Sequence, residues 1–67
     1  MASEQERFSR YEWMGRRVKV TFAPHWPVKI GNYEYQGFDA DGIWVSHDEH
    51  GQRHILWYDL EDVELVT

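Results

Sequence analysis

YEYQGFDADGIWV, residues 33–45, joins two runs of strand-forming side chains through a short break. Tyr33, Tyr35 and Phe38 favour extended backbone, and Ile43, Trp44 and Val45 resume that preference after Asp39, Ala40, Asp41 and Gly42. Asp-Gly between two such runs is among the strongest short-range hairpin signals, so this stretch predicts an antiparallel hairpin around which the chain is organised.

Working outward, residues 16–23 alternate cleanly, with Val18, Val20 and Phe22 on one face and Arg17, Lys19 and Thr21 on the other. That is the pattern of a half-buried strand. Pro24 ends it, and Pro24-His25-Trp26-Pro27 reads as a rigid loop. Val28, Lys29 and Ile30 read as a short extra strand before Gly31-Asn32 turns into the hairpin. After Val45, residues 46–52 (SHDEHGQ) are a polar second hairpin loop, with Gly51 suited to a left-handed position. Residues 53–57 form the fourth strand, with Ile55 and Trp57 on one face and His54 and Leu56 on the other. One tight helical turn over 58–62 leads to a last strand over 63–66.

At the N-terminus, Ser3 and Glu6 have capping-box spacing, and Glu4 and Glu6 suit the positive end of a helix. Phe8, Tyr11 and Met14 follow as an apolar stripe, and Gly15 supplies a stop. The spacing predicts a helix over 3–14, too short to stand without docking on the sheet. The expected fold is mainly β: one domain over 1–67, a small five-stranded, strongly bent antiparallel barrel over 16–66 with a short N-terminal helix. Alternation assigns Val18, Val20, Phe22, Ile43, Val45, Ile55, Val63 and Leu65 to its interior and places Trp44 outside.

The chain has 67 residues, and a domain of that size buries only about 60% of its unfolded surface. With no cysteine to staple it, self-association is the expected support. Four Trp and four Tyr exceed what so small a core holds, which points to rings at an interface. A formal net charge of −5 argues against broad phosphate binding and favours a basic region on a partner protein. No apolar run reaches membrane-span length and the first residues lack a cationic start, so the chain reads as cytoplasmic.

The order of Gly15-Arg16-Arg17-Val18-Lys19-Val20, Tyr35-Gln36-Gly37-Phe38-Asp39, Ile55-Leu56-Trp57 and Asp62-Val63-Glu64-Leu65-Val66 resembles the Sm-like family and, more loosely, other SH3-like barrels. The resemblance implies edge-to-edge assembly into rings, in which the last strand of one subunit pairs with its neighbour. Trp57-Tyr58-Asp59 stands where that family carries its Arg-Gly or Lys-His RNA-binding turn.

Three constellations carry the functional expectations. His25, Trp26, Tyr33, Tyr35, Trp44 and Trp57 are the candidate aromatic and loop interface, Trp26 being either an exposed anchor or a lid on the barrel. Arg16, Arg17, Lys19 and Arg53 are the candidate nucleic-acid contacts beside stacking rings. His47, His50 and His54 are the candidate ligands of a weak metal site, provided that the hairpin brings His47 opposite His54. No cysteine, nucleophile elbow or phosphate-cradling loop is present, so no catalysis and no cofactor is expected. The leading expectation is a protein-interaction or regulatory module, self-associating or docking on a partner. The alternatives are an Sm-like binder of RNA or single-stranded DNA and a metal-responsive binder.

Overall fold

The computed structural model describes residues 7–66. Strands β1 (Arg17–Phe22), β2 (Ile30–Phe38), β3 (Gly42–His47), β4 (Gly51–Leu56) and β5 (Leu60–Leu65) form one sheet in the order β4-β3-β2-β1-β5. Every pairing is antiparallel. Among the described residues two 3-10 turns flank the strands, Tyr11–Trp13 ahead of β1 and Trp57–Asp59 between β4 and β5. Among the described residues β4 and β5 each pair on one side only, so hydrogen bonding leaves the sheet unclosed.

The β2–β3 hairpin forms where the sequence places it, but by different turn chemistry. Among the described residues positive φ is confined to glycines 15, 37 and 51, so Asp41-Gly42 is not the positive-φ turn that its dipeptide signals. Instead Asp39 Oδ1 accepts from the backbone N–H of Asp41 and of Gly42 at 2.9 and 3.0 Å, and Asp39 N–H donates to Gly42 O. Gly42 serves a different need: a Cβ there would stand 1.9 Å from the Ile55 carbonyl oxygen, so only glycine lets β3 lie this close to β4. Gly51, at φ +75°, takes the left-handed position expected of it in the β3–β4 turn.

Other local readings change. Ile30 to Phe38 is one nine-residue strand, so Gly31-Asn32 is not a turn and no separate strand precedes it. The register of Val20 against Gly31 and Lys19 against Asn32 holds both residues in the ladder. Between Tyr35 and Gly37 the register against β3 slips by one residue, with Gly37 at φ +150°, so β2 bulges at Gln36. Arg7 and Phe8 are helical, but Ser9 and Arg10 leave the helix before the first 3-10 turn, and the helix does not run to Met14. Ser3 and Glu6 lie outside the described residues. The apolar stripe splits accordingly: Phe8 is buried, whereas Tyr11 and Met14 stay exposed.

The core gathers Val18, Val20 and Phe22 from β1, Ile43 and Val45 from β3, Ile55 from β4 and Val63 from β5, as the alternation predicts; Leu65 packs at its margin. Tyr33, Tyr35, Phe8 and Leu60 complete it. Tyr35 is fully buried, and its hydroxyl donates to the Phe8 carbonyl at 2.5 Å, fastening the N-terminal segment over the sheet. Burial pushes the Tyr35 phenol above its ordinary range.

Candidate interaction site

The six residues of the expected aromatic interface do not form one surface. Tyr33 and Tyr35 belong to the core rather than to an exposed interface, Tyr35 wholly enclosed and Tyr33 buried with only a margin of its ring reaching a cleft, which corrects their reading as exposed anchors. The reason is visible in their spacing: Glu34 and Gln36 alternate with them, so period two turns both tyrosines inward. Trp57 packs against the core, and its indole N–H donates to the Ala40 carbonyl at 2.8 Å, joining the second 3-10 turn to the β2–β3 turn. Trp26 is half-buried and stacks on Phe22 with ring centroids 4.5 Å apart, as a lid does. Its neighbour His25 is exposed and stacks on Tyr58, while its Nε2 lies 2.7 Å from Asp59 Oδ1. Asp59 is buried, which opposes its ionisation, but the hydrogen bonds from His25 and Trp26 and the attraction of His25 together outweigh that, and its pKa lies below the ordinary carboxylate value.

Trp44 is the ring that lies where the sequence places it, away from the core face of β3. Its indole N–H donates to Asp39 Oδ2 at 3.0 Å. Its face stacks on His54, directly across the β3–β4 ladder, at 4.2 Å and 11°. His54 Nε2 in turn reaches Asp39 Oδ1 at 3.1 Å. Hydrogen bonds to Asp39, first from Trp44 and then from the Asp41 amide, lower its pKa to about 2. The indole is therefore fixed from its edge and from one face.

Beside Trp44 runs an open groove of about 470 Å³. Tyr11 and Met14 form one wall, Trp44 and Gln52 the other, and Gln36, Gly37 and Phe38 the floor at the β2 bulge. Tyr11, 76% exposed, meets Phe38 edge-on at 5.0 Å. Among the described residues no carboxylate lines the groove itself: Glu12, next to Tyr11 in sequence, pairs with Arg10, Asp39 is taken up by Trp44 and His54, and Glu34 accepts from the Gln36 amide at the floor. Tyr11, Met14 and Phe38 are the site residues that periodicity misses, because it assigns the first two to the buried side of a helix.

The candidate basic contacts are dispersed. Arg17 and Lys19 sit on β1 and are engaged by Asp48 at 3.6 Å and Glu64 at 2.7 Å. Arg16 precedes β1, and Arg53 lies three strands away on β4. The histidine trio is also divided. Register sets His47 against Gly51 and His54 against Trp44, so the hairpin does not bring His47 and His54 together. His47 stacks instead on His50 at 4.7 Å, and no group of three or more metal-ligating side chains converges among the described residues. Nor is any described helix long and apolar enough to cross a membrane.

No known protein family, curated protein or solved structure matches this chain. The groove's own geometry therefore carries the functional reading.

Proposed function

We propose that this chain is a non-catalytic protein-interaction module, an SH3-like barrel of the Sm-like kind that receives a basic, extended segment of a partner protein in the groove between Tyr11 and Trp44. The barrel reading is supported by the strand order, the 3-10 turn between β4 and β5, the bulge that bends β2, and a single buried cluster drawn from all five strands. A flat sheet would leave the outer strands' side chains apart. The observation that carries the functional reading is the groove itself, with an indole held rigid at its rim. A ring fixed before binding loses little entropy when a ligand covers it. The net charge of −5, with Glu34 on the floor residue Gln36, favours a cationic occupant by complementary potential.

Panning a library of unstructured peptides against the chain tests this. Selected sequences should be rich in Lys and Arg, and Tyr11→Ala should weaken them about tenfold or more while leaving Tm nearly unchanged, because so exposed a ring contributes little to the fold. Selected peptides whose affinity is indifferent to both Tyr11→Ala and Trp44→Phe overturn the reading.

Self-association is the second reading, favoured by the two free edges. β5 carries Glu61, Asp62 and Glu64, whereas β4 carries Arg53 and His54 and no acid, so the edges of two copies are complementary in charge as well as in unpaired backbone.

A further inference from the structure

A second concavity lies on the other side of the molecule's chemistry, between the Pro24–Pro27 loop and β4. Two lobes of about 140 and 260 Å³ share Phe22, Trp26, Tyr33 and Arg53. Phe22 and Trp26 are stacked 18° from parallel, and Tyr33 meets Phe22 edge-on at 6.2 Å, so the floor is aromatic and already ordered. Val28 and Ile30, each about half exposed, add an apolar lip to the larger lobe.

The polar lining is all of one kind. His54 lines the smaller lobe, His47 and His50 the larger, and Arg53 both; no carboxylate lines either. That is notable in a chain with 12 acidic and 7 basic residues. Arg53 makes no ion pair among the described residues, unlike Arg7, Arg10, Arg17 and Lys19. His47 Nδ1 accepts from the backbone N–H of Glu49 at 3.1 Å and of His50 at 3.3 Å, which leaves the ring proton on Nε2 as a donor. His54 is held by Asp39.

We infer that this cleft binds a small planar organic anion, its ring packing against the Trp26 indole, which Phe22 backs from beneath, and its carboxylate or phosphate taken by the Arg53 guanidinium. The guanidinium fork matches either oxyanion, and the lobes are sized for one ring system and its charged group. The site is separate from the Tyr11–Trp44 groove, so its failure would leave the interaction reading standing.

Two matched pairs test it on the full chain by ¹H–¹⁵N NMR titration: indole-3-acetate against indole-3-acetamide, and adenosine 5′-monophosphate against adenosine. The anionic member of one pair should give saturable shifts at the Trp26 indole, Arg53 and His47, about tenfold or more tighter than its neutral partner. Which pair responds identifies the carboxylate or the phosphate. Arg53→Gln should abolish that preference, and Arg53→Lys, keeping charge without the fork, should restore part of it. The inference is overturned if neither anion saturates, if neutral partners bind as well, if the shifts fall at Tyr11 and Met14, or if only a single-stranded oligonucleotide binds.

Discussion

Asp39 accepts hydrogen bonds from the Trp44 and His54 rings and from two turn amides, and this explains its low pKa. The linkage has a definite sign. An aspartate titrates near 3.9 in the unfolded chain and at about 2 here, so its contribution is complete above pH ~4 and disappears as pH falls through ~2. Asp39→Asn should therefore lower Tm at neutral pH, and its deficit against the wild type should shrink across that window in a thermal series. A deficit of equal size at pH 7 and pH 2 would dissociate the carboxylate's charge from its structural role. The capping role of Asp39 is legible in the sequence, since turn aspartates commonly bond backbone N–H groups. Its hold on Trp44 and His54 is not, because that depends on a register that sets position 44 against 54 across β3 and β4.

Strand elements were legible wherever one face is apolar and the other polar, as in β1, where Val18, Val20 and Phe22 alternate with Arg17, Lys19 and Thr21. The same rule applies to Tyr33 and Tyr35, whose burial the count of aromatic rings alone does not predict. Tyr35→Phe tests their corrected place. It leaves the buried Phe8 carbonyl without its donor and should cost about 1–3 kcal/mol in chemical denaturation. The N-terminal segment is the least legible part of the chain, since three-residue spacing of Phe8, Tyr11 and Met14 fits a helix as well as a segment that docks Phe8 and leaves Tyr11 and Met14 along a groove. Gly42 likewise owes its place to β4 rather than to its own turn. Gly42→Ala forces a methyl group against the Ile55 carbonyl, and backbone cannot step aside as a side chain does. Its loss should exceed ~3 kcal/mol, beyond the range of most single substitutions, whereas a mild effect would show that β3 and β4 separate easily.

For the whole molecule, the decisive quantity is what happens to the outer edges of β4 and β5. A small domain without disulfides gains most from burying further backbone and apolar surface, and an unpaired edge is the readiest place to do so. The described edges differ in sign, β5 carrying Glu61 beside the paired Asp62 and Glu64 and β4 carrying Arg53 and no acid, so head-to-tail pairing brings opposite charges together. Such contacts are exposed and hence screened: at about 1 M salt the Debye length falls to about 3 Å. Sedimentation velocity across a concentration series should show association at low salt that weakens as salt rises. Association indifferent to salt would move the contact to the apolar groove between Tyr11 and Trp44, and Tyr11→Ala would then dissolve it. A single species of monomer mass at every concentration and salt would remove self-association, leaving the groove free for a partner of another sequence.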